Sequence, residues 1–188
     1  GMYILTEQVE QGENRVAIDE TGGILLSLDV DDGPELSPGV NNNFWSSVYR
    51  MPVCVKSPEI IYSTQLSGIK SDFAQLETAI KGADYAAVAK LFDIPVFIDF
   101  LIIQELVYNV ELSAPRSMYL HKNKGGKWTM GPLWDLMPGL ISTGEPCTPG
   151  TTILKVTRNW FWELLRSIIP VGTTFLLFLP ICFAANSL

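Results

Sequence analysis

The apolar residues change their spacing near residue 57, and this change constrains the fold more than any other feature. Before it, short runs alternate between apolar and polar residues and are separated by glycine- and asparagine-containing turns, which is typical of strands and hairpins. The pattern predicts strands over residues 3–5, 14–18, 24–28, 44–49 and 53–56. The first third of the chain is therefore predicted to be rich in β-structure.

After residue 57 the apolar residues recur at helical spacing. Ser57, Pro58 and Glu59 are typical of a helix start, because serine caps a helix, proline fits its first position and an acid favours its first turn. The helix is predicted to end at Gly82. Its apolar face consists of Ile61, Leu66, Ile69, Phe73, Leu76 and Ile80.

Two more helices and a hairpin are predicted further along the chain. Asp84 is expected to cap a short helix that runs through Phe92. Residues 94–109 are expected to form a buried helix, and a β-strand in the middle of this range is the alternative. Residues 117–120 and 127–130 flank an Asn-Lys-Gly-Gly turn and predict a β-hairpin. The predicted fold class is α+β, with a β-rich N-terminal third followed by helices and one β-hairpin.

Charge and composition exclude several classes of function. The formal net charge is −7, and non-specific nucleic-acid binding depends on lysine and arginine, so no nucleic-acid partner is expected. The chain has one histidine, His121, and three widely spaced cysteines, which argues against a four-ligand zinc site. It contains no Walker-type loop and no G-x-G-x-x-G, G-x-S-x-G or H-E-x-x-H motif.

Asp135 is the strongest candidate for chemistry, whereas Trp134 before it is expected to pack in the core under the hairpin. Asp135 closes the run that follows the hairpin, where a carboxylate is well placed to bind a metal ion. A second carboxylate two residues later would project to the same side of a strand, but that position is Met137. The residues alone leave two interpretations open: Asp135 binds a metal or a phosphate, or it belongs to a turn or a helix cap.

Three stretches resemble the spore-coat protein H (CotH) kinase family. The stretch FIDFLIIQELVYNVE is similar to the family's FID helix with its Glu-Leu pair and asparagine. The stretch SMYLHKNKGGKWTMGPLWDL is similar to its S-x-Y-x-x-K-D motif, Gly-Gly hairpin and G-P-x-W-D-F-D motif, and GMYILTE resembles its G-x-Y-x-L-x-E strand. The resemblance covers roughly residues 1–166. It implies part of an atypical protein-kinase-like fold and phosphoryl transfer from ATP to a protein with Mg²⁺.

The resemblance also implies the site residues. Asp135 and Asn109 would bind the metal, and Asp135, Glu111 and Asn109 would take part in catalysis. Lys122 and Glu7 would contact the nucleotide. The residues themselves leave other roles open: Asn109 would equally suit a helix C-cap, Glu111 a solvated surface position and Lys122 an exposed turn.

Met137 is the main departure from the family pattern, because it replaces the second aspartate of W-D-F-D. A thioether is a soft, neutral group and a poor ligand for Mg²⁺. The chain also opens at the G-x-Y strand, so we expect an upstream portion with a nucleotide-binding lobe to be missing. Two hypotheses follow: an incomplete, impaired protein kinase, or a non-catalytic surface or structural interaction module.

The chain is predicted to divide into a partial kinase domain, residues 1–166, and an uncharged apolar tail, residues 167–188. The tail is long enough to span a bilayer, but Pro170 and Pro180 would weaken a helix and no Lys or Arg follows them. A buried or disordered tail is therefore expected rather than a membrane segment. The resemblance implies an extracellular or cell-surface bacterial protein, and it leaves the protein substrate or surface partner unknown.

Overall fold

The computed structural model describes residues 7–29, 42–46, 48, 50–107, 109 and 116–136. These ranges contain the strands β1 (Ile24–Leu28), β2 (Asn43–Ser46), β3 (Met51–Ser57), β4 (Met118–Lys122) and β5 (Thr129–Met130). They also contain the helices α1 (Ser63–Lys81), α2 (Tyr85–Leu91) and α3 (Ile94–Leu106). The predictions for residues 3–5 and for the tail, residues 167–188, lie outside the described residues.

The five strands form one antiparallel sheet in the order β2-β3-β1-β4-β5. Leu26 of β1 lies opposite Val55 on one side and Leu120 on the other, so β1 is the central strand. The predicted hairpin is confirmed as β4 and β5, and it extends the sheet of the N-terminal third. The α+β fold class is therefore confirmed.

Helix α1 packs its apolar face against this sheet. Ile69, Phe73 and Ile80 recur at helical spacing and are buried. The Phe73 ring lies edge-on to two others, with its centroid 6.0 Å from that of Phe44 and 5.9 Å from that of Trp128. Burying a side chain of this size stabilises a fold by about 1.5–3 kcal/mol. Phe73 therefore ties α1 both to β2 and to the residue that precedes β5.

The predicted boundary between the first two helices is confirmed. Helix α1 ends at Lys81, before Gly82, and the residue with a left-handed backbone is Ala83 (φ 51°). Asp84 caps α2 as expected, because its Oδ1 accepts a hydrogen bond from the backbone N–H of Ala87 at 3.0 Å.

The predicted start of α1 at Ser57 is wrong. Ser57 is the last residue of β3, where it pairs with Leu25, and its hydroxyl donates to Oε1 of Gln11 at 2.5 Å. Helix α1 begins at Ser63, and Oε1 of Gln65 accepts hydrogen bonds from the backbone N–H groups that precede it, that of Tyr62 at 2.8 Å. Pairing within the sheet therefore outweighs the local capping signal.

The strand predicted over residues 14–18 is also wrong. Val16 forms a single isolated bridge with Gln11, and no ladder continues from it. The segment still contributes to the core, because Val16 and Ile18 are buried against Leu25. Alternating residues are buried here without the hydrogen bonding of a strand.

The third helix is shorter and more exposed than predicted. Helix α3 ends at Leu106 rather than near Asn109. One face is buried, but Ile98, Ile102 and Leu106 are exposed, so the prediction of a buried helix holds for only one side. Within the described ranges, no helix combines the length and the apolarity needed to cross a membrane.

Candidate functional site

The β4–β5 hairpin carries Lys122 and leads into the segment of Asp135, and its turn is held by two sets of hydrogen bonds. The backbone N–H of Gly126 donates to the carbonyl of Asn123 at 2.9 Å, and Gly125 has a positive φ (67°) that glycine adopts without strain. Asp19 fixes the outside of the turn: its backbone N–H donates to Asn123 Oδ1 at 2.8 Å, and its Oδ2 accepts from the backbone N–H of Lys124 at 3.0 Å. The turn is therefore anchored to the N-terminal segment.

The segment with Trp134 and Asp135 leaves β5 beside the first residues of β4. The backbone N–H of Gly131 donates to the carbonyl of Tyr119 at 2.9 Å, and Nδ1 of His121 lies 3.0 Å from the carbonyl oxygen of Gly131. Asp135 is exposed and has a left-handed backbone (φ 50°). This conformation is uncommon outside glycine but enriched for aspartate and asparagine. Its carboxylate is thus accessible to a hydrated cation, and the same geometry fits a turn residue.

The same end of the sheet carries another carboxylate, that of Asp29. Asp29 directly follows β1, and its Oδ2 accepts a hydrogen bond from the backbone N–H of Ser117 at 3.1 Å. Ser117 directly precedes β4 and has a positive φ (52°). Because Leu28 lies opposite Met118, the register of β1 and β4 creates this contact. Asp29 stands 88 residues before Ser117, so no local pattern indicates the pair.

Asn109 lies just beyond the end of α3 and is fully buried. Its side-chain Nδ2 donates to Oε1 of Gln104 at 2.8 Å, and its backbone N–H donates to the carbonyl of Gln104 at 3.0 Å. Both bonds secure the last turn of α3, as expected for a residue at a helix C-terminus. A hydrated metal ion would reach Asn109 only after this region opened.

Lys122, the last residue of β4, contacts helix α1 through its side chain. Its Nζ lies 2.7 Å from Oδ2 of Asp72 and 5.0 Å from the centroid of the Trp128 ring, and only 12% of its side chain is exposed. The ammonium group is therefore engaged by a carboxylate and an aromatic face. Lys122 closes β4 at the end opposite to Tyr119, whereas the chain leaves β5 beside Tyr119. Lys122 and the segment of Asp135 thus lie toward opposite ends of β4.

Glu7 is exposed, and its Oε1 lies 3.8 Å from Nε of Arg15. Arg15 also forms an ion pair with Glu10. The N-terminal segment that contains Glu7 meets the hairpin at the turn, through Asp19. The structure thus places Glu7 beside Arg15.

The described residues do not assemble a complete metal site. Among them, no group of three or more His, Cys, Asp and Glu side chains lies close enough to hold a metal ion. Glu111 and Met137, the two other positions that bear on metal binding, lie outside the described residues. Asp135 is thus the one sequence-predicted metal ligand that is both described and exposed.

Among the described residues, one buried carboxyl group away from these candidates has a clearly perturbed pKa. Glu77 of α1 is buried against the sheet, and burial raises its pKa from 4.5 to about 7, opposed by a hydrogen bond from the hydroxyl of Ser46. The bond length is 2.5 Å. Glu77 lies on the α1 face that meets β2, so its titration bears on stability.

Comparison with known proteins identifies the family. The family model described as "CotH kinase protein" matches residues 1–162, which is most of the 188-residue chain. No curated protein and no solved structure matches the chain. The matched range contains the FID helix, the hairpin and the Trp134-Asp135 motif. The chain belongs to the CotH kinase family.

Proposed function

We propose that this chain is a protein-kinase-type domain whose phosphoryl-transfer chemistry is impaired. Family membership suggests a kinase-like function. The observation that supports a surviving role most directly is the exposed carboxylate of Asp135, at the end of the hairpin segment that carries the family's W-D motif. Part of an atypical protein-kinase-like fold, formed by the sheet and α1, belongs to the same proposal.

The fit to Mg²⁺ is partial. Mg²⁺ is usually held by one or two carboxylates together with water and substrate phosphates, and when bound it neutralises phosphate charge. Asp135 fits this requirement because it is a hard oxygen ligand that solvent can reach. Met137 offers only a thioether, so a second oxygen ligand would have to come from another residue or from the nucleotide. A single accessible carboxylate supports weak metal binding, and it is the reason for proposing impairment.

The lysine assigned to the nucleotide supports the same proposal. Lys122 would have to leave Asp72 and the Trp128 ring before it could meet a phosphate. Separating a partly buried ion pair is unfavourable, because the remaining carboxylate loses its partner. In this state Lys122 stabilises the fold, and nucleotide binding would depend mainly on other groups, among which Glu7 remains a candidate.

A non-catalytic interaction module is the second candidate function. It is favoured by the contacts of two family-implied site residues: Asn109 secures the end of α3, and Lys122 joins α1 to the sheet. Both roles are structural and need no nucleotide. A domain that keeps such contacts can persist as a scaffold after losing a catalytic carboxylate.

Location, partners and domain limits are part of the proposal. The association of the family with spore coats suggests a surface location, and a protein substrate or surface partner is expected there. A kinase-derived region over residues 1–166 followed by a separate apolar tail, residues 167–188, agrees with the family match over residues 1–162.

Transfer of labelled phosphate from ATP tests the proposal. The full chain is compared with Met137→Asp and Asp135→Ala, using a generic acceptor protein and the chain itself as acceptors. Electrostatic groups of this kind are worth on the order of 100-fold in rate, so Met137→Asp should raise transfer by at least about tenfold and Asp135→Ala should abolish it. Equal absence of transfer in all three folded proteins would favour the interaction module.

A further inference from the structure

Helix α3 presents an apolar stripe to solvent. Ile98, Ile102 and Leu106 are 41%, 50% and 66% exposed. They are four residues apart in sequence, so they lie along one side of the helix. We call these three side chains the α3 stripe. The opposite side, which includes Phe97 and Leu101, is buried in the core.

The composition of α3 is that of a helix with neighbours on every side. Its sequence, IPVFIDFLIIQEL, is apolar around most of its circumference. Helices with this pattern are normally enclosed rather than placed at a surface, where one face is charged or polar. The described ranges cover only one side of α3, so the α3 stripe lacks the cover that its sequence calls for.

The chain itself contains a segment that suits this stripe. Residues 159–166 read NWFWELLR, and we call them the C-terminal segment. At helical spacing, Phe161, Leu164 and Leu165 fall on one face. The opposite face would carry Asn159, Glu163 and Arg166. A short helix with this pattern is amphipathic and needs an apolar surface of about its own length.

Chain length allows the segment to reach α3. The described hairpin segment ends at Leu136, and 22 residues separate it from Asn159. An extended chain of this length spans about 70 Å, whereas a 13-residue helix such as α3 is about 20 Å long. Because the segment is tethered, its effective concentration near α3 reaches the millimolar range, which favours it over a second copy at ordinary protein concentration.

We propose that the C-terminal segment folds back and docks its Phe161–Leu164–Leu165 face on the α3 stripe of the same chain. The α3 stripe is then an internal interface that joins the end of the family-matched region to its FID helix. This interface does not depend on nucleotide or metal. It can therefore be tested independently of the proposed phosphoryl transfer.

Disulfide trapping in the full chain tests the proposal. Ile102→Cys is combined with Leu165→Cys in a background in which Cys147 and Cys182 are replaced by serine. The matched control replaces Glu163 with cysteine instead of Leu165, which moves the thiol to the opposite face of the same segment. A second control moves the α3 cysteine to Tyr85, an exposed position on α2. A disulfide forms readily only when the two Cα atoms come within about 7 Å.

We expect mild oxidation to cross-link Ile102→Cys with Leu165→Cys within one chain, as shown by peptide mass spectrometry of monomeric protein. The two control pairs should cross-link at least about tenfold less, since their Cα atoms would remain more than about 7 Å apart. Cross-links that form between chains would show that a second copy covers the stripe. That result, absence of cross-linking, or equal cross-linking of the Glu163→Cys control would each overturn the proposal.

Hydrogen exchange gives an independent measurement without engineered thiols. Phe161→Asp in the full chain should raise the exchange of α3 amides by roughly tenfold, because the substitution removes the burial of one large side chain. Exchange in α1 should stay unchanged. Unaltered exchange in α3 would contradict the proposed docking.

Discussion

The ammonium group of Lys122 lies 2.7 Å from Oδ2 of Asp72 and 5.0 Å from the centroid of the Trp128 ring. One side chain at the end of β4 thereby joins helix α1 to the residue that precedes β5. Because only 12% of the Lys122 side chain and 30% of the Asp72 side chain are exposed, the pair is shielded more than a typical surface ion pair. This contact gives Lys122 a structural role that does not depend on phosphoryl transfer.

Replacing Lys122 with methionine should destabilise the protein. Both the ion pair and the cation–π contact are lost, and Asp72 stays partly buried without its partner, so we expect the free energy of unfolding to fall by about 1–2 kcal/mol. Urea unfolding measures the change. Lys124→Met, in the exposed hairpin turn, is the matched control and should change stability by less than about 0.5 kcal/mol. A double-mutant cycle with Asp72→Asn that shows no coupling would contradict the assignment.

Glu77 should make stability depend on pH. Its pKa is raised by burial to about 7 in the folded protein, against an ordinary value of 4.5. The folded protein therefore binds the proton more tightly, so the contribution of Glu77 is fully present below about pH 4.5 and is lost as the pH rises to about 7.

Glu77→Gln should remove this dependence and stabilise the protein at pH 8 by on the order of 2 kcal/mol, because the amide carries no charge and can still accept from Ser46. Thermal unfolding at pH 5 and pH 8 measures the difference between the variant and the wild type. The exposed Glu59→Gln is the control and should follow the wild type. If the stability of Glu77→Gln and of the wild type changed with pH in the same way, the raised pKa of Glu77 would be ruled out.

The stability of Asn109→Ala shows whether Asn109 has a structural role. The side chain is buried and donates to Gln104 at 2.8 Å, so its removal should lower the free energy of unfolding by about 1–3 kcal/mol. Gln104→Ala should produce a similar loss, and the two losses should not add, because they remove the same hydrogen bond. A variant as stable as the wild type would mean that Asn109 is not needed to secure the end of α3.

Phe73→Ala should be among the most destabilising core substitutions. The ring is fully buried and packs edge-on against Phe44 and Trp128, so we expect a loss of about 3–5 kcal/mol. Phe73→Leu keeps most of the volume and should cost about half as much. Equal losses for the two substitutions would contradict this expectation, because leucine would then gain nothing from filling most of the space that the ring occupies.

Local signals were sufficient for the elements whose hydrogen bonds close within a short stretch. The Gly-Gly turn at residues 125–126 predicted the hairpin, in which β4 and β5 pair directly with each other. Asp84 was correctly predicted to cap α2, since its bond spans three residues. Each of these elements is specified by residues next to one another in the chain.

Contacts between distant residues explain the predictions that failed. Ser57 carries a capping signal, but its pairing with Leu25 and its bond to Gln11 hold it in the sheet. Lys122 has the sequence position of an exposed turn lysine, but in the structure it pairs with Asp72, 50 residues away in the chain. The W-D motif located Asp135, whereas the contact of Asp29 with Ser117 depends on the register of β1 and β4.

Calorimetric titration of the folded full chain with ATP and Mg²⁺ tests the central claim most directly. We expect weak binding that requires Mg²⁺, disappears in Asp135→Ala and strengthens by about tenfold in Met137→Asp, since the added carboxylate supplies a second hard ligand. Binding that is unchanged in Asp135→Ala, or no binding at millimolar nucleotide in the wild type and in Met137→Asp, would contradict a surviving metal site. The family fold would then serve a function without phosphoryl transfer.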